Sequence, residues 1–517
     1  MGNRCIIKSY PFSGEAEDIA GLFRNEPYFF FLDSSLKQKG RGRFSFIGFD
    51  PFHIFQSKGK NCLPELRQLF DRYQFSQNKE FPFFPGGAVG YFAYDVGLYL
   101  ENIKLSSRDD LKLPDCMVGF YDSIIAIDHA AGRLYVLSTG LPEKNHLAQK
   151  KAQNRFDFIS RKLSLYGSRQ DFEGDFDTFD GAQTPPFPGL TARAGRAGRA
   201  GKQAPLSINP EHTPAFRPES RRIDFPDDDF ASERLSSNFT KKDYLRAVKK
   251  ALDYIRRGDI YQVNLSQRFV FDTADSPELE TWELYKILRR LSPSSFSAYF
   301  HAGNFQIISS SPENFLHVQN GIVQTRPMKG TRPRGKTLPE DRRWKKELLN
   351  SKKERAELLM VTDLERNDLG RVCRYGSVHV NKMRVLEEYK TVFQTTSTVE
   401  GILAKDKDNF DLLAACFPSG SVTGCPKIRA MEIIEELEPH RRGPYTGSLG
   451  YIGFDGTMDF NILIRTLIAR DEKIYFHAGG GIVSDSAPEN EYEETLLKAR
   501  ALSRSLACFY SNQKILT

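Results

Sequence analysis

The chain has 517 residues, 40% of them hydrophobic and 12% aromatic. That is too much interior material for a disordered or fibrous protein, and the length exceeds one simple core. Its 73 Lys and Arg against 66 Asp and Glu leave a net charge of +7, a weak imbalance that argues against a dedicated nucleic-acid or membrane-surface protein.

Three zones follow one another. Residues 1–165 read as a globular α+β segment. The start, Met1-Gly2-Asn3-Arg4-Cys5, lacks a signal-peptide stretch, and no window reaches the ~18 apolar residues of a membrane span. The seven cysteines show no C-x-x-C spacing, so neither a zinc cage nor a disulfide framework is indicated. A cytoplasmic protein with no membrane or nucleic-acid partner is expected. Residues 170–237 hold Pro185-Pro186, an Arg/Gly/Ala run from Ala192 to Lys202, and six further prolines. They read as a linker or surface insertion. Residues 238–510 carry nearly all the chemical signals.

That last zone opens with a helix. Thr240 and Asp243 resemble a capping box, Leu245, Val248, Leu252 and Ile255 recur at helical spacing, and Gly258 suits the C-cap. A strand is predicted over 260–269, with Gln262, Asn264 and Ser266 on a polar face that is either solvated or lines a cavity, the strand alone favouring solvent. Hairpins are predicted to turn at Ala302-Gly303-Asn304, at Asn320-Gly321 and at Asp455-Gly456, with Arg470-Asp471-Glu472 leading on to 473–477. Short turns of this kind imply antiparallel sheets. Helices are expected at 340–360, 426–438 and 487–505.

The Asn320-Gly321 turn carries a geometric consequence. A two-residue loop sets Glu313 opposite Met328 and Pro312 opposite Lys329. Glu313 and Lys329 are then neighbours on the order of 5–8 Å apart. They can serve as an acid and a nucleophile, although spacing alone favours a surface ion pair. Glu354 and Glu357, and again Glu491 and Glu494, are three apart on predicted helices, so each pair shares a face. Two such helices converging would suit Mg²⁺, which takes carboxylate oxygens; singly, each pair reads as ordinary helix electrostatics. Gly479-Gly480-Gly481 is predicted to follow a strand, where it is either an anion-binding turn or a mobile one. Arg465 falls mid-strand in Asn461-Ile462-Leu463-Ile464-Arg465-Thr466, and a cation there needs a carboxylate partner from protein or ligand.

Together these motifs resemble component I of the chorismate-utilising enzymes, the family of anthranilate synthase and aminodeoxychorismate synthase. The resemblance rests on Gly42-Arg43-Phe44-Ser45-Phe46-Ile47-Gly48, Gly86-Gly87-Ala88-Val89-Gly90-Tyr91 and Gly258-Asp259-Ile260-Tyr261-Gln262-Val263-Asn264-Leu265-Ser266. It extends through Ser311-Pro312-Glu313, Pro327-Met328-Lys329-Gly330-Thr331, Asp363-Leu364-Glu365-Arg366-Asn367-Asp368-Leu369-Gly370 and Gly424-Cys425-Pro426-Lys427. The Gly479 to Val483 and Glu491 to Thr495 segments complete it.

The resemblance implies an α+β fold of two packed antiparallel sheets flanked by helices, with both outer zones contributing. It implies chorismate as substrate, ammonia as nucleophile and Mg²⁺ as cofactor, held by Glu354, Glu357, Glu491 and Glu494. Aminodeoxychorismate synthases carry Lys in the Pro-x-x-Gly-Thr motif, where anthranilate synthases carry Ala. Lys329 therefore resembles the nucleophile of the former branch and Glu313 its acid. Burial or nearby cations, with Arg326, Arg332 and Arg334 close in sequence, would lower the lysine pKa. Arg465, Tyr445, Lys498, Gly480, Gly481, Gln262, Thr423 and Gly424 are the implied substrate contacts.

Gln262 stands where water-using relatives carry Lys, and Gln394 where many relatives carry His. The first argues for ammonia as the nucleophile, and the second fits amination at C4 without loss of pyruvate, with anthranilate synthesis as the alternative. No cysteine lies in a G-x-C-x-G setting, so a separate glutamine amidotransferase subunit is the implied partner. Phe31-Leu32-Asp33-Ser34-Ser35 resembles the segment that helps bind tryptophan in anthranilate synthases, with Asp33 replacing the usual Glu. A structural or vestigial pocket is expected there.

Overall fold

The Asn320-Gly321 turn is a natural starting point, because both residues take the positive φ (54° and 73°) that a two-residue hairpin loop demands. The strands it joins, Asn314–Gln319 and Ile322–Thr325, pair His317 with Gln324 and Gln319 with Ile322. Asp471 and Glu472 make a second such turn, with φ of 48° and 56°. It joins Thr466–Arg470 to Lys473–Ile482. These features belong to a computed structural model that describes residues 5–36, 42–73, 83–166, 234–273, 280–389 and 392–516. Nearly all of the 170–237 stretch lies outside the described residues.

Among the described residues the strands form two antiparallel sheets, of twelve and ten strands. Each sheet is assembled from both outer sequence zones. In the larger, Phe30–Asp33 pairs with Phe296–His301. In the smaller, Gly87–Phe92 pairs with Ser448–Gly453. The sheets face one another across a core that includes Phe30, Phe84, Tyr91, Leu449 and Ile468. Helices Asn145–Leu163, Thr281–Leu291 and Pro488–Leu516 cover the outer face of the larger sheet through Phe156, Leu284 and Leu502. Helices Leu63–Asp71, Lys352–Gly370 and Asn409–Cys416 cover the smaller through Leu66, Leu369 and Leu413. The α+β architecture of two packed sheets flanked by helices is therefore the one expected.

Helix Lys241–Arg257 begins at Thr240, whose hydroxyl accepts from the Asp243 amide at 3.2 Å, and ends at Gly258 with φ of 82°. Its apolar face packs with helix Lys427–Leu437 against strand Gln262–Asp272.

Four local expectations are corrected. The polar face of strand Gln262–Asp272 is not solvated: Gln262 is 1% and Ser266 2% exposed, because the next strand and the 417–425 loop cover it. The predicted 340–360 helix is two, Leu338–Asn350 and Lys352–Gly370. They break at Ser351, whose extended backbone (ψ 115°) lets its hydroxyl cap the second by accepting from the Glu354 amide at 3.3 Å. Gly479, Gly480 and Gly481 lie inside strand Lys473–Ile482, opposite Ser266, Leu265 and Asn264. Arg465 is not mid-strand; it sits between Met458–Asn461 and Thr466–Arg470 with φ of 50°. That left-handed residue redirects the chain from the smaller sheet to the larger.

Candidate active site

The hairpin register predicted to set Glu313 opposite Met328 extends only from His317–Gln324 to Gln319–Ile322. Beyond Thr325 the chain leaves its partner, and Met328–Pro333 pairs instead with Val392–Ile402. The Met328 amide still donates to the Glu313 carboxyl at 3.2 Å. The Lys329 amine donates to the Ser421 carbonyl at 3.0 Å, and the Ser421 side chain stands near enough to Glu313 to favour its ionised form. Acid and amine thus converge on one residue of the 417–425 loop. Burial raises the Glu313 pKa from its ordinary value, with Lys329 and Ser421 opposing. Burial lowers the Lys329 pKa, against Glu357 and Glu313 and with help from Lys498. The nearby arginines are not the cause. Arg326 is paired with Glu387, Arg332 with Glu347 and Glu354, and Arg334 with Asp341.

The four glutamates approach from two helices. Gly330 (φ 74°) leaves the room that Glu354 needs, since a Cβ there would lie 3.0 Å from its carboxylate. Glu354 bonds Arg332 at 3.2 Å, and Glu357 lies 3.9 Å from Lys353. Glu491 and Glu494 converge on Gly480, where an added Cβ would meet an oxygen of each at 3.3 Å. Lys498 donates to Glu494 at 2.7 Å and to the Gly479 carbonyl at 2.9 Å.

Burial raises Glu357, with Lys329 opposing, and raises Glu491, with Ser486 opposing. For Glu494 burial is outweighed by Lys498, Lys353 and Lys329, and its pKa falls. Among the described residues no three acidic, His or Cys side chains are gathered closely enough to hold a metal ion. The donor chemistry nevertheless fits a hard cation: Glu494 helps raise the pKa of both Glu357 and Glu491, and Gly480 keeps the space beside Glu491 and Glu494 clear.

The Arg465 guanidinium has no hydrogen bond or ion pair among the described residues, and burial lowers its pKa. A partly buried cation without a partner is costly unless a ligand supplies the counter-charge. Tyr445 stacks on His477, 4.7 Å between centroids and 9° from parallel. Burial raises its pKa, against the pull of Arg442. Gln262 is buried with both side-chain polar atoms unpartnered, and a Cβ on Gly481 would lie 2.5 Å from its amide nitrogen. Thr423 accepts from the Asn264 amide at 2.7 Å through its carbonyl. Gly424 lies against Gln262, where a Cβ would come within 2.2 Å of the Gln262 carbonyl. Gln394 donates to Thr331 at 3.2 Å, and its own carbonyl is buried without a partner.

Sequence reasoning missed Ser421, which touches both acid and amine, and the charges behind it. The Ser419 hydroxyl donates to Glu365 at 2.8 Å, and Lys427 pairs with Asp368, all of them buried. Arg442 and Glu438 form another buried pair at 2.7 Å. The available signal was the placement of Glu365, Asp368 and Lys427 within motifs that carry the family resemblance.

At the Phe31 to Ser35 segment, Asp33 accepts from Tyr285 and Arg289, each at 2.8 Å. Beside it lies a cavity of about 360 Å³ between the sheets, lined in part by Arg43, Asn314 and Tyr451.

The profile of the chorismate binding enzymes matches residues 28–178 and 202–504. The chain belongs to that family. It is 35% identical to anthranilate synthase component 1 of Acetivibrio thermocellus over 497 residues, covering 92% of this chain and 90% of that one. It is equally, 35%, identical to aminodeoxychorismate synthase component 1 of Bacillus subtilis over 491 residues, covering 92% and 91%. The crystal structure of anthranilate synthase component I from Streptococcus pneumoniae superposes with a TM-score of 0.68 at 28% identity, over 90% of this chain and 95% of that one. A menaquinone-specific isochorismate synthase from Escherichia coli shares the fold at a TM-score of 0.66 and 16% identity, over 98% and 95%. The protein is thus a chorismate-utilising enzyme of the anthranilate and aminodeoxychorismate synthase family, and no helix among the described residues is long and apolar enough to cross a membrane.

Proposed function

We propose that this family member aminates chorismate at C4 to give 4-amino-4-deoxychorismate. The observation that carries the reading is Lys329: a partly buried amine, its pKa lowered, held on the Ser421 carbonyl beside the raised acid Glu313. In this reading the neutral amine adds at C2 while Glu313 protonates the departing C4 hydroxyl. Ammonia then attacks C4 and expels the lysine. Arg465 and Tyr445, with the amides of Gly480 and Gly481, hold the substrate carboxylates, and Lys498, Gln262, Thr423 and Gly424 line the same space. Glu357, Glu491 and Glu494, with Glu354 beside them, would hold Mg²⁺, which when bound supplies positive charge for the ring carboxylate. The ammonia would come from a separate glutamine amidotransferase subunit, and the setting would be cytoplasmic.

Anthranilate synthesis is the second reading, supported by the equal identity to relatives of that name. Incubating the full chain with chorismate, ammonium and Mg²⁺ separates the two. Aminodeoxychorismate supports the proposal, and fluorescent anthranilate replaces it with the second reading. Lys329→Ala should also abolish covalent capture of a chorismate-derived adduct.

A further inference from the structure

A buried chain of hydroxyls leads away from Glu313. Ser421, whose carbonyl accepts from Lys329, has its side chain near enough to the Glu313 carboxyl to favour the ionised form. Ser421 and Ser419 share a hydrogen bond of 3.1 Å between their oxygens, in which either can donate. Ser419 in turn meets the Glu365 carboxyl at 2.8 Å. Every group on this path is at most 5% exposed: Glu313 5%, Ser421 3%, Ser419 4% and Glu365 1%. The approach is enforced by Gly420, where a Cβ would lie 2.4 Å from the Leu364 side chain and drive the loop off the helix.

The far end of the path is charged. Glu365 is faced by Asp368 from its own helix, by Lys427 from helix Lys427–Leu437, by Glu313 from the hairpin and by the Cys416 thiol. Lys427 bonds Asp368 and the Cys416 carbonyl. Asp368 is also faced by Arg371 and Glu101. Burial, then Asp368, raises the Glu365 pKa, so a proton on this carboxyl is available near neutrality.

We propose that Glu365, Ser419 and Ser421 form a proton relay that transfers the negative charge left on Glu313 to the Lys427 side of the site. The inference rests on Glu313 being the acid of the reaction above. When Glu313 gives its proton to the departing hydroxyl, which leaves as water, an ionised carboxylate is left enclosed and beside the reacting ring. The Ser421 O–H then breaks to reprotonate Glu313, Ser419 reprotonates Ser421, and Glu365 reprotonates Ser419. Glu365 becomes the carboxylate, beside the Lys427 ammonium. When the new C4 ammonium gives up a proton to Glu313, the chain shifts back and Glu365 recovers its own. No proton is gained or lost over the cycle, and no co-reactant is needed. Glu365 touches no reacting atom; it is a positioning residue that acts through Glu313.

The test follows chorismate consumption by the full chain with ammonium and Mg²⁺, in mixtures of light and heavy water. For the unaltered enzyme the rate should bow with deuterium fraction, the mark of several protons moving together. Ser419→Ala should lower kcat about 10-fold or more with KM within about 2-fold, and make the plot linear. Ser419→Thr, which restores the hydroxyl, should recover both, and Glu365→Gln should behave as Ser419→Ala. A linear plot for the unaltered enzyme, unchanged kcat in Ser419→Ala, or equal losses in the Ala and Thr variants would overturn the relay. Glu313→Gln keeps the two ideas apart: if it remains active the acid assignment itself falls, whereas an inactive Glu313→Gln beside a fully active Ser419→Ala removes only the relay.

Discussion

The Met328 amide donates to the Glu313 carboxyl at 3.2 Å, which sets the acid one residue from the Lys329 amine. The productive pair is a protonated acid beside a neutral amine. At ordinary values of 4.5 and 10.5, about one molecule in a million would hold that arrangement. Burial raises one and lowers the other, so the pair converges and the productive fraction grows about tenfold per unit. The rate should therefore be bell-shaped in pH, falling at low pH when both groups are protonated and at high pH when both have lost their protons. In Glu313→Gln the rate should drop about 10²- to 10⁴-fold, and the residual should only rise with pH as Lys329 deprotonates. A residual that keeps its alkaline fall would assign that limb to another group.

Arg465 should trade stability for binding. Its guanidinium is a desolvated cation without a protein partner, so the free protein bears its cost and the substrate carboxylate removes it. Arg465→Gln should raise KM on the order of 10- to 100-fold while stabilising the free protein by about 1 kcal/mol. Steady-state kinetics and urea unfolding check the pair of effects, and a destabilised variant with unchanged KM contradicts them.

The two neighbouring glycines should separate metal from substrate. Gly480→Ala pushes on Glu491 and Glu494 and should raise the Mg²⁺ concentration for half-maximal rate about tenfold. Gly481→Ala puts its Cβ 2.5 Å from the Gln262 amide and should impair turnover without moving the Mg²⁺ requirement. A Mg²⁺ titration of both variants decides this.

Asp95 offers a prediction away from the chemistry. One oxygen accepts from the Gly443 amide at 2.9 Å, and the other is buried without a partner. Burial, then Asp115 and Glu435, raises its pKa to about 7. An acid whose folded pKa lies above its unfolded value binds its proton more tightly when folded. Its stability contribution is therefore fully retained only below the unfolded pKa of 3.8 and is lost as pH rises towards 7. Asp95→Asn should be more stable than the unaltered protein at pH 8, by about 2 kcal/mol, and lose that advantage at pH 4. Denaturant unfolding at the two pH values is the measurement.

Much of the local structure follows from short-range rules. Asn320-Gly321 admits one favoured loop, so the pairing of His317 with Gln324 and Gln319 with Ile322 follows from two residues. Thr240 and Gly258 bound their helix through caps that need only a few neighbours. Glu354 and Glu357, or Glu491 and Glu494, share helix faces by periodicity alone. Where the pattern failed, a competing local device had prevailed: the Ser351 cap split one predicted helix, and the left-handed Arg465 broke one predicted strand.

Packing between distant segments settled the rest. Periodicity places Gln262 on a polar face but cannot tell water from a covered interior, and the 417–425 loop makes it the latter. Gly479 to Gly481 read as a turn until strand Gln262–Asp272 paired with them. Ser421 carries no signature of its own, and the motif that holds Glu365 does not place it, because both positions depend on a loop and a helix that meet across Gly420. Residue type and spacing suffice for which side chains a segment offers on one face. Which faces meet, and which charges lose their water, depends on contacts between residues far apart in sequence, and those contacts exist only in the folded chain.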